Sequence, residues 1–146
     1  MDYTKSAEEL LKYLIESERN GYIIQGNISK IAKGEIAVIN FLRNSENGCT
    51  PARISQEFNV NTSRVAAVLN SLEKKGYIER RNDPIDKRKT NVYITEQGKI
   101  YGQEMCLNTI EKLSKTLELL GEDDAKEYIR IMKKIINIIY EEQMKL

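Results

Sequence analysis

The three residues Asn59-Val60-Asn61 constrain this chain more than any others, because they join two short helical segments through a turn too tight to allow much else. Upstream, Thr50-Pro51 is a strong helix start, pairing a capping hydroxyl with a proline whose fixed φ suits the first helical position. The helix from Ala52 to Phe58 has Ile54 and Phe58 to bury, and Val60 is an apolar plug in the turn. Downstream, Asn61 or Thr62 caps a second helix. Its Val65, Val68, Leu69 and Leu72 recur at i, i+3, i+4 and i+7, which is one inward face. The opposite face carries Ser63, Arg64, Ala67, Asn70, Ser71 and Lys74. Two short helices on a tight turn, the second with a polar outer face of small, hydrogen-bonding residues, are a helix-turn-helix arrangement.

The next twenty residues extend the motif. Gly76 ends the second helix, Tyr77 to Arg80 reads as a strand, Asn82-Asp83-Pro84 as a turn, and Asn91 to Ile94 as a second strand with alternating pattern. The loop between them holds Asp86, Lys87, Arg88 and Lys89. A two-stranded ribbon with a basic tip directly after a helix-turn-helix is a wing. An arginine at its tip suits a narrow minor groove, where the phosphate walls focus negative potential.

Charge is distributed to match. The 146 residues carry 23 basic and 22 acidic side chains, a net charge of +1. Residues 51–95 alone hold 9 basic and 5 acidic groups, so near-neutrality hides a basic middle between mildly acidic flanks. With no histidine, the usual general base and commonest metal ligand are both missing. Cys49 and Cys106 are too few and too far apart for a zinc cage or a disulfide framework. No carboxylate pair, nucleophile–base pair or phosphate loop falls on one face, so neither an enzyme nor a metal or other cofactor is expected. The opening Met1-Asp2-Tyr3-Thr4 lacks a basic region followed by an apolar run, and no segment approaches ~18 consecutive apolar residues. A cytoplasmic protein is the expectation.

The flanks are helical. Ser6 to Arg19 places Ala7, Leu10, Leu11, Leu14 and Ile15 at spacings of three and four, with Asn20-Gly21 as a stop. A further helix follows Gly34, with Ile36, Ile39 and Phe41-Leu42 on its apolar face. From Thr95 to Leu120 a stripe runs through Cys106, Ile110, Leu113, Leu117 and Leu120 until Gly121 breaks it. Glu122-Asp123-Asp124 then start the last helix, where the helix dipole favours negative charge. That helix has one stripe of Tyr128, Met132, Ile135 and Ile139 and another of Ile129, Ile136 and Tyr140. Apolar on more than one face, it has a surface to offer a second copy of the chain.

Three runs now resemble a known family, the MarR-type winged helix-turn-helix transcriptional regulators. They are Leu72-Glu73-Lys74-Lys75-Gly76-Tyr77-Ile78-Glu79-Arg80, Asp83-Pro84-x-Asp86-x-Arg88 and Val92-x-Ile94-Thr95-x-x-Gly98, with Thr50-Pro51 matching the lead-in. The resemblance implies a mainly α fold with a small two-stranded β wing, flanked by N- and C-terminal dimerisation helices. Residues 1–32 and 96–146 would form the dimerisation region and 33–95 the DNA-binding region. It implies that the helix over 61–75 enters the major groove, that Arg88 reaches the minor groove, and that Asp86 holds Arg88 by a salt bridge. It also implies a homodimer reading an inverted repeat, built here on Leu10, Leu11, Leu14, Leu117, Met132, Ile135, Ile136 and Ile139. Repression by occupying a palindromic operator, with release by a small-molecule effector, is the expected function.

Two departures stand out. Many members carry a basic residue where this chain has Ala67 or Ser71, which shifts major-groove hydrogen bonding toward Thr62, Arg64 and Asn70 and leaves Ala67 to meet a thymine methyl. Gly21 and Gly26 interrupt a region that is often one continuous helix.

The remaining candidates compete with plainer roles. For Arg88 the alternative is a merely solvated loop charge, and for Arg64, Asn70 and Ser71 an exposed helix face lacking a partner. Arg53 and Ser55 suit phosphate rather than base contacts. Arg80 and Arg81 either touch the DNA backbone or pair with a nearby acid. Cys49 precedes a helix N-terminus that would lower a thiol pKa, against a plain loop residue, the favoured reading. Cys106 is simplest as core. Tyr22 and Tyr101 line an effector crevice or, preferably, pack in the core. The competing function is a structural protein that coats DNA without sequence preference, and a helical adaptor that binds protein ranks third.

Overall fold

A computed structural model describes residues 1–19 and 30–145. Its elements run α1 (Tyr3–Arg19), α2 (Lys30–Arg43), α3 (Pro51–Phe58), α4 (Thr62–Lys74), β1 (Ile78–Asn82), β2 (Thr90–Ile94), α5 (Glu96–Leu120) and α6 (Glu122–Met144). The mainly helical class with a two-stranded wing is as expected. The Asn20-Gly21 stop, Tyr22 and Gly26 lie outside the described residues. Among the described residues, no helix is long and apolar enough to cross a membrane.

Two helix starts differ from the sequence expectation, each for a local reason. α1 begins three residues early because Asp2 caps it, its Oδ1 accepting from the Lys5 amide at 3.0 Å. α2 runs through Gly34 instead of starting after it. A Cβ at Gly34 would sit 3.1 Å from Val68 Cγ2, so the glycine lets α2 lie close on α4.

Two compact units emerge, one within Gly26–Met105 and the other within Met1–Gln25 and Cys106–Leu146. The division falls inside α5, between Met105 and Cys106. The first turns of α5 are fastened to the helix-turn-helix unit by two glycines. A Cβ at Gly98 would stand 2.1 Å from the Tyr77 carbonyl oxygen, and one at Gly102 2.7 Å from Ile39 Cγ2. Thr95 caps α5 by accepting from the Gly98 amide at 3.1 Å, and its hydroxyl donates to the Gly76 carbonyl at 2.7 Å. The Thr95-x-x-Gly98 motif thus closes the strand-to-helix corner.

The core of that unit follows the predicted inward faces. Ile39, Leu42, Ile54, Val65, Val68, Leu69, Leu72, Ile78 and Val92 are buried together, and Phe41 meets Phe58 edge-on at 5.7 Å. Each fully buried side chain of this size stabilises the fold by about 1.5–3 kcal/mol, far more than any surface pair. Thr50 caps α3 by accepting from the Arg53 amide at 3.2 Å. Of the two candidates at the next start, Asn61 is the cap, accepting from the Arg64 amide at 2.8 Å. Between the helices Asn59 adopts a left-handed conformation (φ 48°), which asparagine tolerates better than most residues.

The wing is an antiparallel pair with Arg80 opposite Val92 and Arg81 opposite Asn91. Cys49 adds a third segment, bridging to Val92 through reciprocal backbone bonds of 3.0 and 2.7 Å. The lead-in to α3 is therefore tied to the wing.

In the other unit, α1 packs on α6. Ala7, Leu117 and Ala125 form its centre with Tyr3, Ile110, Leu113 and Ile129 around them. Thr4 and Ser114 share a hydrogen bond of 3.3 Å, and Tyr13 donates to Asn137. The expected dimerisation residues separate here. Leu10, Leu117 and Ile136 are buried within a single chain, so they build the protomer and are corrected as dimer contacts. Leu11, Leu14, Met132 and Ile139 are half-buried, while Ile135 is exposed. Tyr128, Ile131 and Ile138 join Ile135 on the outer face of α6, a stripe with spacings of three and four.

Candidate nucleic-acid interface

The outer face of α4 presents Thr62, Ser63, Arg64, Ala67, Asn70 and Lys74 to solvent, with the capping Asn61 at its start. Ser71 is the exception and is corrected. It is half-buried, and its hydroxyl donates to Oε1 of Glu35 on α2. Glu35 is 4% exposed and also accepts from Lys75 Nζ at 2.8 Å. Burial by itself would raise the Glu35 pKa. The hydrogen bonds from Lys75 and Ser71 and the nearby ammonium charge outweigh it, and the carboxyl stays below its ordinary range. Glu35 was missed from sequence. The available signal was an acid beside Ile36 on a helix otherwise facing the core, with Ser71 and Lys75 one helical turn apart to receive it.

Asn70 is held from the wing. Arg80 Nη2 donates to Asn70 Oδ1 at 2.7 Å, and Arg80 Nε lies 3.6 Å from Glu73 Oε2. Of the two roles open to Arg80 and Arg81, pairing with an acid is present in both. Arg81 pairs with Glu79 and lies over the Tyr93 ring at 4.8 Å.

Asp83 organises the wing tip. Its Oδ1 accepts from the amides of Ile85 (2.8 Å) and Asp86 (3.0 Å), and its Oδ2 from Asn91 Nδ2 (3.2 Å). These bonds, led by the Asp86 amide, hold the Asp83 carboxyl below its ordinary pKa. The tip so formed sets Asp86 against Arg88, with Oδ1 accepting from the Arg88 amide at 3.1 Å and from its Nε at 3.2 Å. The Arg88 side chain is nonetheless 93% exposed. It is oriented without being covered, and Lys87 and Lys89 flank it in solvent.

On α3, Arg53 is exposed. Ser55 is corrected as a phosphate contact, because it is half-buried and its hydroxyl donates to the Val60 carbonyl at 2.5 Å, closing the turn. Cys49 is corrected as a redox candidate. It is 4% exposed, and burial pushes its thiol pKa up despite the nearby Arg53. Tyr101 stacks on Tyr77 at 4.3 Å, the packing role preferred for it. Among the described residues no cluster of acids and cysteines could hold a metal ion.

The arrangement offers a polar helix face and a braced cation on one compact unit. A family model described as MarR family matches residues 30–89. The chain is 28% identical over 87 residues to the uncharacterised HTH-type transcriptional regulator YwhA of Bacillus subtilis, covering 60% of this chain and 63% of that one. It is 19% identical over 103 residues to the HTH-type transcriptional repressor YetL of the same organism, covering 70% and 62%. The match thus spans about three-fifths of these relatives' own length. Among solved structures, Streptococcus pneumoniae FabT in complex with DNA superposes with a TM-score of 0.58 at 24% identity, covering 92% of this chain and 89% of that one.

Proposed function

We propose that this chain, whose residues 30–89 match the MarR family model, is a sequence-specific transcriptional regulator binding a palindromic operator as a homodimer. The family consists of regulators, not enzymes. The observation that carries the proposal is Arg88, braced by Asp86 at 3.2 Å yet 93% exposed at the wing tip. A guanidinium held in place loses less side-chain entropy on entering a minor groove than a free one would. The exposed face of α4 then serves the major groove, as the second helix of such motifs does.

The homodimer is supported by the apolar outer face of α6, and two protomers would set two basic surfaces against two half-sites. Repression by occupying the operator is supported by the name of the relative YetL, a transcriptional repressor. Release by a small-molecule effector in the cytoplasm completes the proposal. Such an effector acts only by its higher affinity for a dimer whose recognition helices no longer match successive major grooves.

The test is selection of bound sites from a random duplex pool, followed by titration of the recovered site. A palindrome is expected, bound roughly 10³-fold or more tightly than scrambled duplex. Arg88→Ala should weaken that binding by roughly tenfold, the scale of a lost arginine contact. Affinities within about tenfold for specific and scrambled duplexes would identify a non-specific DNA-coating protein instead.

A further inference from the structure

Asn70, on the exposed face of α4, is held by a residue of the wing. An asparagine amide ordinarily reads adenine, accepting from N6 through its oxygen and donating to N7 through its nitrogen. Here the oxygen is engaged, because Arg80 Nη2 lies 2.7 Å from Asn70 Oδ1. The assignment of oxygen and nitrogen follows from chemistry: a guanidinium has donors only, so the amide nitrogen cannot be the atom that faces it. Arg80 is steadied in turn by Glu73, 3.6 Å from its Nε. The outside is left with the Asn70 amide nitrogen and its two donors, beside a cation whose unused N–H groups also donate.

We propose that Asn70 and Arg80 form a single donor-only unit that selects guanine over adenine at one position of each half-site. This rests on the proposed reading of the major groove by α4. Guanine presents two adjacent acceptors on its major-groove edge, O6 and N7, and suits a donor-only unit. Adenine presents N7 beside an amino group, so one of its donors would face donors. The second lone pair of Asn70 Oδ1 does not rescue adenine, since a hydrogen of N6 would then lie against the guanidinium charge. Arg80 acts here as a specificity-determining residue through the orientation it imposes on Asn70.

Site selection from a random duplex pool with the full chain, Asn70→Ala and Arg80→Ala tests this. Base frequencies are the readout, because a general loss of phosphate affinity lowers all sequences alike and leaves their ratios unmoved. Asn70 and Arg80 are both surface residues, Arg80 with 32% of its side chain exposed, so neither truncation empties the core. The wild type should favour guanine over adenine at one half-site position by roughly fivefold or more, the lower end of a good base contact. Asn70→Ala should erase that preference and no other. Arg80→Ala, which frees Oδ1, should shift the same position toward adenine. The inference is overturned if the Asn70-dependent base is adenine, if no base depends on Asn70, or if Arg80→Ala leaves the guanine-to-adenine ratio unchanged. Should the wild type enrich no sequence at all, the regulator reading fails and the inference with it. An enriched palindrome without an Asn70-dependent guanine sinks the inference alone.

Discussion

Lys75 Nζ lies 2.8 Å from Glu35 Oε2, so a buried carboxylate on α2 fixes the C-terminal end of the helix proposed to read DNA. The two partners are not equally buried: Lys75 keeps about half of its side chain in solvent (49%), against 5% for Glu35. Solvent screening therefore reduces what the pair contributes, and most of the stake is the satisfaction of Glu35. Replacing Lys75 with Met should cost about 1–2 kcal/mol in urea unfolding, the scale of a hydrogen bond to a charged group. It should also raise the Glu35 pKa, since burial would then meet less opposition. An unchanged midpoint for Lys75→Met would show that Ser71 alone suffices.

The same pair sets a pH dependence. The folded-state pKa of Glu35 is lowered, so its contribution is complete above the ordinary carboxylate value of 4.5 and is lost as pH falls through the lowered one. Lys75 has a raised pKa, and its contribution disappears only as pH rises beyond 10.5. Stability should thus be flat across the neutral range with respect to this pair and fall in acid. Glu35→Gln should flatten the acid limb of the unfolding midpoint below the ordinary carboxylate value. An acid limb as steep as the wild type's would assign it to other carboxylates, such as Asp83.

Gly98 tests the corner between wing and α5. Its missing Cβ would stand 2.1 Å from a backbone oxygen, an atom that cannot swing aside as a side chain can. Gly98→Ala should destabilise the protein by roughly 3 kcal/mol, the upper end for overpacking. Gly121→Ala, with open space around it, pays only for its positive φ and should cost about 1 kcal/mol. Thermal unfolding that ranks the two the other way would contradict the close approach.

These residues also mark what was legible in the sequence. Thr50, Asn61, Gly76 and Thr95 announced their elements because capping and helix termination are local, settled within three or four residues. The Glu35–Ser71 and Glu35–Lys75 contacts join positions 36 and 40 residues apart, which no periodicity encodes. Ser71 lies at the margin of the outer face of α4, where helical spacing gives a direction but the neighbouring helix decides which way the side chain turns. Cys49 was read from its distance to a helix start, while its backbone pairing with Val92, which buries it, depends on the folded wing. On α6 the sequence marked more than one apolar face, but only packing against α1 could say which was already covered.

Cys49 should accordingly resist modification. Its thiol is buried and its pKa raised, and both lower the exposed thiolate fraction that reacts. Ellman's reagent in mildly alkaline buffer should label Cys49 only after unfolding, and peroxide should leave DNA affinity unchanged. Rapid labelling of Cys49 in the folded protein would restore it as a redox candidate.

The outer face of α6 gives the sharpest test of the proposed dimer. Ile131, Ile135 and Ile138 are 42%, 43% and 50% exposed in a single chain, and Tyr128 continues their stripe. One exposed isoleucine is ordinary, but a continuous row of them on a helix is what a partner surface looks like. Aspartates at Ile135 and Ile138 together would place two charges in that row while leaving the protomer's own contacts at Ile129 and Ile136 intact. Light scattering should then show a monomer with unchanged helical circular dichroism. Operator affinity should fall far more than for a single lost contact, because the two half-sites would be bound separately. Lys134→Ala, at an exposed polar position of the same helix, should change neither. A double variant that stays dimeric would place the interface elsewhere on the chain.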